Sequence, residues 1–206
     1  MRTFTLRILI GAICLSITGV GCGEPAQADS EYDLPENAEG IIDSQDIADM
    51  EAEGLTINDG QSPPDITGAY VTGSTEAVYD DDENQIGNTF QDYRWEFEAD
   101  DDTNEVEVSN ESLESNLGSE GMGAYIAGEG DCFTLFSELE GHDNNCSYIQ
   151  IQLLSGCHSS AGIEDFEFGF IITEYLSPKE DCEGVVVPPG HRRIIREMDG
   201  LAERAN

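Results

Sequence analysis

Between residues 65 and 190 the chain is built from short runs in which apolar positions recur every second residue, separated by clusters of Gly, Asp, Asn and Ser. That period belongs to strands with one buried face. The clearest run is Tyr93-Arg-Trp95-Glu-Phe97-Glu-Ala99, aromatic on one side and charged on the other. Asp100-Asp-Asp-Thr-Asn104 follows it, then Glu105-Val-Glu-Val108, which together predict a hairpin. Further strands are expected over 66–72, 76–79, 124–127, 132–139, 148–154, 166–173 and 184–187. Phe166, Phe168, Phe170 and Ile172 alternate strictly, so one face of that strand is buried. The fold expected over 65–190 is mainly β, an antiparallel sandwich or small barrel of about 8 strands, and the pattern does not choose between the two.

The flanks read differently. Residues 23–64 hold 12 acidic residues, no basic one and a single aromatic, Tyr32, and they close on Gln61-Ser-Pro-Pro64. Low hydropathy with like charge predicts a disordered acidic tether over 22–64, interrupted by a short helix over 44–53 around Ile47 and Met50. In the tail, 191–206, Ile194, Met198 and Leu201 stand at helical spacing. A short amphipathic C-terminal helix is expected there. Arg192, Arg193, Arg196 and Arg204 would dock it on an acidic sheet or offer a basic contact to a partner.

At the N-terminus, Arg2 and Arg7 precede an apolar run over 8–20 and then small residues, the composition of a secretory signal peptide over 1–21. The run falls short of the roughly 20 residues a membrane-spanning helix needs. Gly19-Val20-Gly21-Cys22 resembles the lipobox of bacterial lipoproteins, although Gly19 stands where that family favours leucine. The resemblance implies that Cys22 receives a diacylglycerol, that the leader is cut before it, and that the new amine is acylated, with palmitate among the chains. The domain would then be tied to the bacterial cell envelope. Gly23, where enterobacterial inner-membrane lipoproteins carry Asp, points to the outer membrane. Ordinary cleavage near Ala26 or Ala28 is the alternative. The resemblance covers the first tenth of the chain and is silent on the fold.

Charge narrows the partners. Forty-four acidic residues against 8 basic ones give a formal charge of −36. Loss of Arg2 and Arg7 with the leader would make it more negative still. Such a surface repels phosphate backbones and anionic headgroups, so no nucleic-acid partner and no polybasic membrane docking are expected. It also fits a protein adapted to high salt, where screening removes self-repulsion.

Four cysteines remain beyond the leader and Cys22. Cys132, Cys146, Cys157 and Cys182 are expected to form two disulfides in an exported domain, and pairing in sequence order would join Cys132 to Cys146 and Cys157 to Cys182.

Two acidic segments share alternate oxygen ligands: Asp80, Asp82 and Asn84, and Asp100, Asp102 and Asn104. That spacing can converge on calcium. Gln85 and Glu105 occupy the sixth position, where an EF-hand needs glycine, and the flanks read as strands, so simple turns explain both segments equally. The histidines His142, His158 and His191 are scattered, and no Gly-x-Ser-x-Gly elbow or dinucleotide fingerprint occurs. Ile66-Thr-Gly-Ala-Tyr70 lacks the tryptophan of the lipocalin first strand. The reading is a lipid-anchored, non-enzymatic envelope protein whose β domain binds a partner or ligand and requires no cofactor. A carboxylate-dependent exported hydrolase is the alternative. A cleft lined by two acids and aromatics such as Tyr93 or Trp95 would favour the enzyme, and a filled barrel with apolar loop tips would favour binding.

Overall fold

The computed structural model describes residues 32–35, 37–100 and 103–205, so the expected leader, Cys22 and Asp102 lie outside them. Among the described residues twelve strands form one sheet. They are β1 (Gln61–Ser62), β2 (Gly68–Val71), β3 (Thr75–Asp80), β4 (Thr89–Phe90), β5 (Tyr93–Ala99) and β6 (Glu105–Ser112). After them come β7 (Gly118–Glu129), β8 (Cys132–Asp143), β9 (Cys146–His158), β10 (Gly162–Tyr175), β11 (Arg192–Glu197) and β12 (Leu201–Arg204). Two α-helices accompany them, α1 (Ser44–Ala52) and the single turn α2 (Lys179–Cys182).

Eight strands close on themselves. Hydrogen-bonded neighbours run β2, β5, β6, β7, β8, β9, β10, β12 and back to β2, every pair antiparallel. The fold is therefore a barrel and not a sandwich. β10 forks the wall. Its residues 162–164 pair with β12, while 167–171 pair with β11. A bulge between Glu164 and Glu167 separates the two stretches, with Asp165 in the left-handed region at φ 51°, a backbone conformation that Asp tolerates better than most side chains. Below the bulge the wall closes through β12 and β2; above it the wall continues outward through β11, β3 and β4. The lower half is solid. Trp95 meets Phe166 and Phe168 edge to face at 5.5 and 5.2 Å between ring centroids, and Phe97 stacks beneath it at 6.3 Å. Ring pairs in this geometry add attraction beyond the area they bury.

Four expectations are corrected. Residues from 32 onward, read as tether, pack on the outer face of β8 to β11. The expected helix is α1, capped by Asp43, which accepts from the backbone N–H of Gln45 and Asp46 at 2.9 Å each. α1 buries Ile47 and Met50, and with Ile42 and Leu55 they meet Phe136, Leu153, Ile171 and Ile194. Gly169 makes room: a Cβ there would stand 3.3 Å from both Leu55 and Met50. Burial of four such side chains contributes roughly 6–12 kcal/mol before entropy is counted.

The tail is β11 and β12, not a helix. Ile195 faces the barrel core and Ile194 faces α1, so both faces of β11 are covered and its apolar residues run consecutively. Met198 is exposed in the turn between the two strands.

The disulfides join Cys132 to Cys157 and Cys146 to Cys182. β8 and β9 form a hairpin, which sets Cys132 directly opposite Cys157 and leaves Cys146 at the far end, roughly 35 Å away at 3.3 Å per residue. Pairing in sequence order is impossible on that frame. The expected strand over 184–187 is also a loop, which Cys182 pins to β9.

Candidate functional site

Above Trp95 the side chains cease to fill the barrel. Strand alternation turns Tyr148, Gln150 and Gln152 of β9 inward, together with Asn110 of β6, Ser119 of β7 and Arg193 of β11. A cavity of about 730 Å³ remains among them. That volume lies within the range of small-molecule sites.

The lining is mixed in character. Phe168, Phe170, Ile172, Ile195 and Val187 are its apolar members. Gln152 and Gln150 stand beside Phe170 and Ile172 on the neighbouring strand β9, where Gln150 Nε2 donates to Gln152 Oε1 at 3.1 Å, and across the barrel Asn110 Nδ2 of β6 donates to Ser119 Oγ of β7 at 2.6 Å. Two buried donors have no partner among the described residues, the indole N–H of Trp95 and the amide NH2 of Gln152. Both residues are only 1% exposed, and both belong to the cavity wall. Unmade hydrogen bonds of this kind cost about 1–3 kcal/mol each. Near the mouth, burial pushes the phenols of Tyr93 and Tyr148 above the usual range, so both stay protonated and able to donate at neutral pH.

The 176–191 loop forms part of the mouth. It is held by the Cys146–Cys182 bridge, by Tyr175 Oη donating to Val187 O at 3.1 Å, and by Gly190 N–H donating to Ile172 O at 2.8 Å. Ile86, Leu113, Leu176 and Val185 are exposed apolar residues in the loops at this end.

Asp80 lies in the same wall, its side chain fully buried. Oδ1 meets His191 Nε2 at 2.7 Å and accepts the Asp82 backbone N–H at 2.7 Å, while Oδ2 accepts Arg193 Nε. Arg193 in turn lies 5.1 Å over the Phe90 ring. The proposed calcium ligands at this turn are thus engaged elsewhere. Asp82 accepts from Asn84 N and Nδ2 at 3.2 and 2.8 Å, which starts a short 3-10 turn and holds its carboxyl below the usual range. Asp100 and Asn104 lie in the β5–β6 hairpin at the opposite end of the barrel, Asn104 left-handed at φ 55°. Among the described residues no group of three or more His, Cys, Asp or Glu is arranged to hold a metal ion. His191 joins the cavity, while His142 and His158 sit at opposite ends of the β8–β9 hairpin.

The tail arginines are spent within the chain. Arg192 binds Asp49 at 2.7 Å and Glu53 at 2.8 Å, and Arg196 binds the buried Glu167 at 2.6 and 2.9 Å. Arg204 donates to Thr67 O at 3.0 Å. Glu167 also accepts the Thr56 backbone N–H at 2.7 Å, so one carboxylate fastens the N-terminal arm to the barrel.

Sequence reasoning named Tyr93 and Trp95 as aromatics of a possible cleft, and the barrel brings them together. It missed Gln150 and Gln152, and it placed Arg193 on a tail helix. The available signal was Gln-Ile-Gln within a strand, where polar residues alternate with apolar ones whose direction only the neighbouring strands decide. No protein-family model matches the chain, nor does any curated protein or solved structure.

Proposed function

We propose that this protein is a lipid-anchored binding protein of the bacterial cell envelope, whose barrel holds a small molecule in its open half without transforming it. The observation that carries the reading is the cavity above Trp95, lined by both apolar side chains and amides, with two buried donors left without partners. Evolved barrels that only need stability fill both halves, as this one fills its lower half. Two disulfides place the domain in an oxidising, exported compartment. Among the described residues no helix is long and apolar enough to cross a membrane. The attachment proposed is the lipidated Cys22, on the resemblance of Gly19-Val20-Gly21-Cys22 to a lipobox, with Gly23 favouring the outer membrane.

The test is titration with N-phenyl-1-naphthylamine, an uncharged fluorophore of suitable size. Trp95 is the sole tryptophan and borders the cavity, so one-to-one uptake will quench its emission and sensitise that of the probe. Native mass spectrometry of the purified protein looks for a co-purified adduct. No saturable uptake together with no adduct would sink the reading.

The hydrolase keeps one supporting observation: Asp80, Asp82 and Asp143 line the cavity beside Tyr93 and Trp95. Asp80 is saturated by three neighbours, which leaves Asp82 and Asp143 as the available pair. Release of nitrophenolate from a panel of p-nitrophenyl glycosides and esters, lost in Asp143→Asn, would replace binding by catalysis.

A further inference from the structure

We infer that the ligand is an uncharged, largely apolar molecule bearing a carbonyl-type oxygen, and that it enters with that oxygen leading, toward Trp95 and Gln152. The inference rests on the cavity-binding reading above and adds the chemical class of the occupant.

The inner end of the cavity holds two buried donors without partners. An indole nitrogen can only donate. Gln152 could present either end of its amide, but Gln150 Nε2 donates to its Oε1 at 3.1 Å, which engages the oxygen and leaves the NH2 as the free group. Both free donors are buried: Trp95 meets Phe168, and Gln152 stands beside Phe170, with Arg193 next to Phe170 on β11. An ammonium group arriving there would bring only donors to donors; a hydroxyl can accept but adds a donor of its own, which a carbonyl oxygen with two lone pairs does not. An acceptor oxygen satisfies them, and an apolar body then lies along Phe170, Ile172 and Val187.

Charge decides between a carbonyl and a carboxylate. The cavity wall carries three carboxylates, Asp80, Asp82 and Asp143, against one guanidinium, Arg193, whose Nε is bonded to Asp80. Neither Trp95 nor Gln152 supplies a counter-charge. Burying an anion unpaired is far more costly than burying a neutral acceptor with two hydrogen bonds.

The experiment uses three probes of nearly one shape: 2-acetylnaphthalene, 2-ethylnaphthalene and 2-naphthoate. The purified protein, labelled with ¹⁵N, is titrated with each while the single indole N–H resonance is followed, and affinities are measured by calorimetry. The acetyl compound is expected to bind about tenfold tighter than the ethyl compound and to move the indole proton downfield, as a new hydrogen bond requires. Gln152→Met and Trp95→Phe should each lower the acetyl-to-ethyl affinity ratio by roughly threefold while leaving affinity for the ethyl compound within a factor of two. The amide spectrum of each variant verifies its fold, and Gln150→Met, which frees the Gln152 oxygen, serves where Gln152→Met does not fold. Equal binding of acetyl and ethyl compounds with a stationary indole resonance overturns the inference and leaves the cavity reading standing. Tightest binding of 2-naphthoate overturns it in favour of an anion. If none of the three binds, the cavity reading fails and takes the inference with it.

Discussion

Arg193→Met tests whether the buried charge cluster behind the cavity holds the upper wall together. The Asp80 side chain is fully buried, and its guanidinium partner sits on β11, the neighbouring strand, where Arg193 is paired in register with Asp80. Without Arg193 the carboxylate keeps His191 and one backbone N–H but loses its permanent positive charge. Breaking a buried pair from one side costs about 3–5 kcal/mol, because the remaining charge stays desolvated. For a chain of this size each kcal/mol moves the melting temperature by about 2–4 °C, so the expected drop is roughly 6–20 °C. Asp80→Asn should cost less, since the Arg193 side chain is 14% exposed and keeps access to the cavity. The double variant Asp80→Asn with Arg193→Met should lose much less stability than the two singles summed, which is the signature of a coupled pair. Urea unfolding at pH 7, followed by Trp95 emission, measures all three. A loss below about 1 kcal/mol for Arg193→Met would place the pair in the range of solvent-exposed ion pairs and refute the argument.

Other expectations follow from the same geometry. The loops closed by Cys132–Cys157 and Cys146–Cys182 span 25 and 36 residues, so replacing each pair by alanine should cost about 3.5 and about 3.8 kcal/mol on chain-entropy grounds. Of the two, only loss of Cys146–Cys182 frees the loop at the mouth, so only that variant should also lose N-phenyl-1-naphthylamine uptake. Millimolar CaCl₂ should raise the melting temperature no further than NaCl at matched ionic strength, because Arg193 and His191 already engage Asp80; a clear excess with calcium contradicts this. Burial, a hydrogen bond to Asp81 at 2.8 Å and the nearby Glu53 push the Tyr79 phenol up to about 12. Unfolded tyrosine ionises near 10, so between pH 10 and 12 the unfolded chain binds fewer protons and stability falls as pH rises. Tyr79→Phe should flatten that decline in urea midpoints taken between pH 9 and 12, leaving the part due to Tyr93 and Tyr148.

Barrel strands β5 to β10 were legible because each pairs with its neighbour in sequence, and Tyr93–Ala99 states its inward face outright, whereas β12, which pairs with the distant β2, was read as helix. What stayed hidden depends on distant partners. The stretch around Ile47, Met50 and Leu55 resembles a tether because its apolar residues are few and its acids many. Its counterpart, an apolar outer face built from Phe136, Leu153, Ile171 and Ile194 with Arg192 and Arg196 beside it, comes from strands much further along the chain. Ile194, Met198 and Leu201 mimic a helix only because a strand covered on both faces and a tight turn happen to share that spacing. The cavity was hidden for a related reason. Read alone, Tyr148–Leu154 would turn Ile149 and Ile151 toward the core. Pairing with β8 and β10 turns them outward and sets the glutamines inside, a choice of face that alternation within one strand cannot make.

The acidic composition and the cavity answer to separate constraints. On the outer face of β5 to β8, Glu98 stands directly opposite Glu107 and Glu120 opposite Glu140, arrangements that destabilise a sheet by some tenths of a kcal/mol each. Salt screens such exposed pairs, and the aromatic lower core and the two bridges bear what cost remains. Positive charge, by contrast, is scarce, and among the described residues each cation is committed: Arg94 to Glu96, Lys179 to Glu183, Arg192 to α1, Arg193 to Asp80, Arg196 to Glu167 and Arg204 to the Thr67 carbonyl. A barrel evolved to hold an anion would keep an arginine free at the inner end of its cavity. This one keeps an indole and an amide there, which is the chemistry of a neutral acceptor.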